Sequence, residues 1–240
     1  ARTVNIFKDN KYPGEIGVVH SLETKYPVSD SPEDIHAAFL EDAISIRFLL
    51  EATYLGRYTD DLLAALDEIC AAQNASYDFL EADYLEMEKA SHRNDFLGIN
   101  HYQCHFCKAY QGPNEIYHNG TGEKGSSVYR VNGIAERIYR DDIPRTDWDW
   151  LIYPQGMYDL LVRIKKDYPH YKKIYITENG MGYKDEFEDG VILDTPRIDY
   201  LRQYLSAISD AITDGVNVEG YFLWSLMDLF SWTNGYNKRY

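Results

Sequence analysis

Four short apolar runs, each ending in polar residues, constrain the fold of this chain more than any other feature of its sequence. Amphipathic helical patterns lie between the runs. Such alternation predicts a parallel α/β sheet. In these sheets ligands bind at the carboxyl ends of the strands. The polar residues at those predicted ends are His20, Asn100, Tyr102, Glu178 and Ser225.

The helices between the runs show start signals and apolar stripes. Ser31 followed by Pro32 predicts an N-cap with proline in the first turn, and Thr195 followed by Pro196 predicts a second such start. Helical spacing in the last helix predicts one apolar face made of Ile198, Leu201, Leu205, Ile208 and Ile212. The tyrosines on helical segments are assigned to core and rim rather than to sugar platforms; they are Tyr84, Tyr158 and Tyr204.

Residues 103–147 differ in character from the rest of the chain. They contain Gly112-Pro113, Asn119-Gly120 and Asn132-Gly133, which are turn signals flanking short strand-like pieces. A long excursion of this kind in a compact domain is usually a functional loop. We therefore predict a single domain over residues 1–240 with a long loop excursion at 103–147.

Net charge and cysteine content exclude several classes of function. A formal net charge of −15 disfavours nucleic-acid and anionic-membrane surfaces, which both need a basic face. The three cysteines are too few for a disulfide framework, which favours a reducing cytoplasm. The spacing Cys104-His-Phe-Cys107 is superficially that of a zinc site. Without a second pair of ligands we interpret it as two small thiols at the start of a loop.

The run Ile174–Gly180 ends in one carboxylate, that of Glu178, followed at once by the turn signal Asn-Gly. A carboxylate at the end of a strand is well placed for chemistry, because loops on a rigid scaffold carry most reactive groups. Taken alone, such a glutamate is more often a capping or ion-pairing residue. The neighbouring motifs decide between the two interpretations.

These motifs resemble the family 1 β-glycoside hydrolases and, within them, the bacterial 6-phospho-β-galactosidases. The matching segments are Ile176–Gly180, Gly220–Asp228, Trp232–Tyr236 and the Asn-x-Tyr of Asn100–Tyr102. The likeness spans the whole chain but only the second half of a family member. It implies a TIM (β/α)8 barrel, of which the chain would supply strands 5 to 8, with a start cut from a longer protein.

The resemblance also implies a retaining mechanism with two carboxylates. Glu178 matches the nucleophile of the family, and Tyr102 matches the tyrosine that hydrogen-bonds it. Asn100 and Trp224 match sugar-binding positions. The acid/base glutamate of the family lies in an Asn-Glu-Pro motif, which this sequence lacks; its one Asn-Glu is Asn114-Glu115.

The end of the chain carries the substrate prediction. Ser231, Lys238 and Tyr240 match the phosphate loop of the phospho-glycosidases, where β-glucosidases have a glutamate at the position of Ser231. The serine removes a charge that would repel a 6-phosphate, while the lysine and tyrosine add donors. Trp232 favours galactose over glucose, because phospho-β-glucosidases tend to have a small residue there.

Together these features predict a cytoplasmic hydrolase of 6-phospho-β-galactosides such as phosphorylated lactose, without metal or organic cofactor. Two alternatives remain: a 6-phospho-β-glucosidase, or an inactive fragment that forms a phosphosugar-binding half-barrel. Trp148 and Trp150 either line the leaving-group side of the pocket or pack beneath the loop. A half-barrel would have open strand edges, so we expect dimerisation or contact with the missing N-terminal half.

Overall fold

The computed structural model describes residues 1–119, 122–231 and 235–236. Its α-helices are α1 (Arg2–Asp9), α2 (Pro32–Asp42), α3 (Phe48–Leu50), α4 (Asp60–Gln73), α5 (Glu81–Ser91), α6 (Pro154–Asp167) and α7 (Thr195–Thr213). Its strands are β1 (Gly17–Ser21), β2 (Lys25–Pro27), β3 (Phe96–Asn100), β4 (His105–Lys108), β5 (Glu115–Tyr117), β6 (Val128–Val131), β7 (Ala135–Ile138), β8 (Ile174–Asn179), β9 (Phe187–Glu188), β10 (Val191–Ile192) and β11 (Val218–Leu223).

The four predicted apolar runs form one sheet. Its strand order is β1-β3-β8-β11, and each neighbouring pair is parallel. The prediction of a parallel α/β sheet is therefore confirmed. Because all four strands run in one direction, their carboxyl ends lie at the same edge of the sheet. Strands β1 and β11 form its two lateral edges.

One face of this sheet is covered by helices and the other is open. The covered face contributes fully buried side chains to the main hydrophobic core, among them Leu97, Ile99, Ile174 and Ile176. On the other face, Gly98 lies between the side chains of Val19 and Thr177. Val19 is 48% exposed and Phe222 is 57% exposed. A parallel sheet is ordinarily buried on both faces, so this open face is unusual.

A second sheet occupies much of the segment that the sequence predicted to be a loop. Its strand order is β2-β4-β7-β6-β5, with β2 and β4 parallel and the remaining pairs antiparallel. Asn132 and Gly133 of this segment lie in one of the turns between these short strands. Gly133 has φ of 66° in this turn, between β6 and β7. Strands β9 and β10 pair separately as a small hairpin.

Two of the predicted helix starts are close to those observed. Ser31 is the N-cap of α2, and its hydroxyl accepts a hydrogen bond from the Asp34 amide at 3.2 Å. Helix α2 continues through the π-helical segments Ala43–Arg47 and Glu51–Leu55, with α3 between them. The start of α7 was predicted one residue late, because Asp194 rather than Thr195 is the N-cap.

The predicted apolar face of α7 was partly right, because Ile208 is buried and Leu201 packs against the main core. The side chains of Ile198, Leu205 and Ile212 are each about half exposed, at 51%, 45% and 46%. Besides Ile208, the buried face contains Tyr200, Tyr204, Ala207 and Ala211. Hydropathy favoured the aliphatic residues, but the tyrosines bury larger rings and their hydroxyls find partners in the core.

Within the described ranges, no helix combines the length and the apolar character needed to cross a bilayer.

Candidate active site

Glu178 lies near the carboxyl end of β8, beside the end of β3. The β3–β8 pairing aligns Asn100 with Glu178 after an irregularity in the register. The Tyr102 hydroxyl donates to Oε2 of Glu178 at 2.7 Å. This distance is that of a well-formed hydrogen bond from a hydroxyl. Glu178 and Tyr102, predicted as a pair from the sequence, are therefore in direct contact.

Asn100 lies at the end of β3, next to this pair. Its side-chain oxygen accepts a hydrogen bond from the Thr177 hydroxyl at 2.6 Å. Because Thr177 directly precedes Glu178, this bond joins the ends of the two strands on the open face of the sheet. It also fixes the direction of the Asn100 amide, which is a suitable group for binding a sugar hydroxyl.

Trp224 follows β11 and packs closely against the loop after Glu178. Its backbone N–H donates to the carbonyl of Asn179 at 3.0 Å. The Trp224–Ser225 peptide bond is cis. A Cβ atom added at Gly180 would overlap the Trp224 carbonyl oxygen, so a glycine is required at this crossing. The predicted sugar-binding residue Trp224 therefore lies beside the chain segment that carries Glu178.

The two tryptophans left ambiguous by the sequence have different environments. Trp148 is only 4% exposed. Trp150 is half-buried, and its ring lies 4.9 Å from the Tyr102 ring and 4.8 Å from that of Trp148, measured between centroids. Trp150 thus extends the aromatic surface that begins at Tyr102, with Trp148 behind it.

A cavity of about 310 Å³ opens beside these rings, a size at the lower end for small-molecule sites. Glu23, Gln103, His105, Arg137, Trp148 and Trp150 are among its lining residues. Nε2 of His105 lies 2.6 Å from Oε2 of Glu23. Burial, together with the nearby Lys25 and Arg137 cations, lowers the pKa of His105 to about 3. The pKa of Glu23 is also lowered, because the hydrogen bond from His105 and the nearby Lys25 and Arg137 cations outweigh burial. The pair therefore consists of a neutral imidazole and a carboxylate at neutral pH.

The predicted phosphate loop is described only in part. Ser231 is 8% exposed, and its backbone N–H and carbonyl pair with Gly235 at 3.0 and 2.9 Å. Trp232, Lys238 and Tyr240 lie outside the described residues. For the predicted phosphate site, the described residues therefore show only that Ser231 is buried.

The thiols of the Cys-x-x-Cys motif are buried, free and protonated. Burial raises the pKa of both Cys104 and Cys107 to about 12. Among the residues that the structure describes, no group of three or more His, Cys, Asp or Glu side chains is arranged to hold a metal ion.

Comparison with known proteins identifies the family. The model of glycosyl hydrolase family 1 matches residues 1–240. The chain belongs to this family. It is 30% identical to a β-glucosidase from Exiguobacterium marinum, with a TM-score of 0.80 over 100% of this chain and 49% of that one. A family 1 β-glucosidase from Exiguobacterium antarcticum B7 is 31% identical, with a TM-score of 0.79 over 100% of this chain and 48% of that one.

A third similar structure, the family 1 β-glucosidase from Thermotoga maritima, is 29% identical, with a TM-score of 0.76 over 99% of this chain and 48% of that one. The α/β fold described above is thus that of the family 1 TIM-barrel enzymes. The chain spans about half the length of these solved structures.

Sequence reasoning missed the hydrogen-bonding roles of several side chains that meet at Asn179 and at the backbone of residues 101 and 102. Asn179 is fully buried, and Tyr200, Tyr204 and Tyr221 bring their hydroxyls to the same region. The one available signal was the spacing of Tyr200 and Tyr204, which places them on the same face of a helix. Their partners lie on other strands and could not be identified from that spacing.

Proposed function

We propose that this chain is the nucleophile-bearing part of a retaining glycosidase that hydrolyses 6-phospho-β-galactosides. The observation that carries the proposal is the 2.7 Å hydrogen bond from Tyr102 to Glu178 at the carboxyl ends of a parallel sheet. Membership of glycosyl hydrolase family 1 supports the glycosidase class. We assign β1, β3, β8 and β11 to the fifth to eighth strands of the barrel.

The proposed reaction begins with attack of Glu178 on the anomeric carbon. Tyr102 holds Oε2, which leaves Oε1 to form the glycosyl ester as the bond to the leaving group breaks. Water then cleaves the ester and restores the configuration at the anomeric carbon. By holding Oε2, Tyr102 keeps the carboxylate oriented before attack. Asn100 and Trp224 are assigned to sugar binding.

The leaving oxygen needs a proton from a second carboxyl group about 5–5.5 Å from the first. The sequence of this chain contains no Asn-Glu-Pro motif to supply it. We therefore place the acid/base glutamate on the remaining half of the barrel. Activity consequently depends on joining this chain to that half.

The substrate assignment rests on Ser231, Lys238, Tyr240 and Trp232, as matched in the sequence. The similar solved structures are named β-glucosidases. The substrate proposed here, a phosphorylated galactoside, therefore differs from the one that those names give. It is supported by the absence of a carboxylate at position 231 and by the cation at position 238. Because the net charge of the chain is −15, a local cation is needed to hold an anionic sugar.

The test is hydrolysis of chromogenic 6-phospho-β-galactoside, 6-phospho-β-glucoside and β-galactoside by a protein in which this chain is joined to the rest of the barrel. We expect the first to be preferred and Glu178→Gln to lower turnover by several orders of magnitude. Lys238→Ala should weaken binding of the phosphorylated substrates about ten- to a hundredfold and leave the unphosphorylated one unchanged. Lys11→Ala, at an exposed lysine, is the matched control.

Each alternative has its own outcome in this assay. Preference for the glucoside would assign a 6-phospho-β-glucosidase, and equal effects of Lys238→Ala on all substrates would assign that lysine a structural role. Near-normal turnover by Glu178→Gln would refute the assignment of Glu178 as nucleophile, whereas binding of the phosphorylated sugars without hydrolysis by the parent protein would leave a phosphosugar-binding half-barrel. The three free cysteines are compatible with the cytoplasmic location that a phosphorylated substrate suggests.

A further inference from the structure

The backbone that carries Tyr102 leaves the sheet before it reaches this residue. Strand β3 ends at Asn100, so the peptide groups on either side of Tyr102 cannot all be satisfied by the β-ladder. Buried backbone groups need other partners. The structure supplies them from side chains of β8 and α7.

Asn179 is the centre of this arrangement. Its amide nitrogen donates to the carbonyl of His101 at 2.7 Å and to the Tyr200 hydroxyl at 2.9 Å. Its oxygen accepts from the Tyr221 hydroxyl at 2.8 Å. Both N–H groups and the carbonyl of this buried amide are thus used. A side chain without this pattern of donors and acceptors would leave buried polar groups unpaired.

Two tyrosines of α7 complete the arrangement at Tyr102 itself. The hydroxyls of Tyr200 and Tyr204 both donate to the Tyr102 carbonyl, each at 3.4 Å. Tyr204 in turn accepts from the backbone N–H of Tyr153 at 3.3 Å. The two rings are stacked with their centroids 4.3 Å apart. Burial raises the pKa of both hydroxyls, so they remain donors.

The other side of Tyr102 is fixed to the strand that carries the carboxylate. The backbone N–H of His101 donates to the Glu178 carbonyl at 3.0 Å. The carbonyls of His101 and Tyr102 are therefore both held by side chains. The path of the backbone at Tyr102 determines where its hydroxyl reaches Glu178.

We propose that Asn179, Tyr200 and Tyr204 are positioning residues that hold the Tyr102 hydroxyl on Glu178. They do not touch the reacting atoms; they act through the backbone of residues 101 and 102. The inference rests on the proposed role of Glu178 as nucleophile, because the Tyr102 contact matters for catalysis only if Glu178 attacks the substrate. A displacement of the hydroxyl by about 1 Å would break the contact.

The test measures how fast the Tyr102 hydroxyl proton exchanges with water, by NMR of this chain. The resonance is assigned by its loss in Tyr102→Phe. Tyr200→Phe combined with Tyr204→Phe removes the two donors but keeps both rings, and we expect exchange to become about tenfold faster. Each single substitution should give a smaller increase in the exchange rate. The single variants provide the test if the double variant fails to fold.

Tyr54→Phe is the matched control. Tyr54 is also a buried core tyrosine, 1% exposed, but its hydroxyl has no hydrogen-bond partner among the described residues. Unchanged exchange in the Tyr200 and Tyr204 variants, or equal acceleration in Tyr54→Phe, would overturn the proposal. The exchange measurement needs no substrate. If exchange becomes faster in the variants but the protein does not cleave 6-phospho-β-galactosides, only the proposed function is overturned.

Discussion

At the scale of single residues, the imidazole next to Tyr102 is, with that of His105, a source of pH dependence. His101 is fully buried, and neither ring nitrogen has a hydrogen-bond partner among the described residues. Burial lowers the pKa of His101 from 6.5 to about 4; the charge of Glu23 opposes this shift and that of Lys25 adds to it. Between these two pH values the unfolded chain binds a proton that the folded chain does not.

We therefore expect the stability of the folded chain to fall as the pH is lowered from about 6.5 to 4. The contribution of His101 is at most about 3 kcal/mol. His101→Leu should reduce this loss, as measured by urea unfolding at a series of pH values. His92→Gln, at an exposed imidazole, should retain the slope of the parent. An unchanged slope in His101→Leu would contradict the prediction.

The sequence was most informative about residues whose surroundings are local. Glu178 was recognised because an apolar run, an Asn-Gly turn and the family motifs lie in the same short segments. The contact with Tyr102 followed from the resemblance. The role of Asn179 could not be predicted in this way, since its partners His101, Tyr200 and Tyr221 are 21 to 78 residues away.

At the scale of elements, α7 shows why periodicity located the helix but only part of its buried face. Its start was found to within one residue from the Thr-Pro signal. Two faces compete, one aliphatic and one carrying Tyr200 and Tyr204. Hydropathy ranks the aliphatic face as inward, whereas the Tyr102 carbonyl, which accepts hydrogen bonds from Tyr200 and Tyr204, requires the tyrosine face to be inward. That requirement arises only once the sheet has formed.

The close approach of Gly180, which follows β8, to Trp224, which follows β11, gives a prediction at the same scale. Gly180→Ala would place a methyl group against the Trp224 backbone carbonyl, which cannot rotate away as a side chain could. We expect a loss of about 2–3 kcal/mol in the free energy of unfolding, measured with urea. At Gly112 a methyl group would meet only the end of the Tyr110 side chain, so Gly112→Ala is the control. Equal stability of the two variants would contradict this account.

At the scale of the whole molecule, the open face of the main sheet is the dominant feature. The alternation of strands and helices predicted the sheet, and the resemblance predicted half of a barrel; both agree with the structures that the chain matches over about half of their length. The sequence could not predict how exposed the side chains on this face are, because their exposure depends on which segments pack against the face. Val19 and Phe222 are about half exposed on this face.

Exposed apolar side chains at the lateral edges of a parallel sheet favour association. We therefore expect the isolated chain to self-associate, as measured by sedimentation velocity. Val19→Lys with Phe222→Lys should shift the population toward monomer, because the charged side chains would be buried without partners in the associated state. Leu85→Lys, at an equally exposed residue of α5 (60%), should leave the distribution unchanged. A monodisperse monomer of the parent chain at micromolar concentration would refute the prediction, since the open face would then be stable in water without a partner.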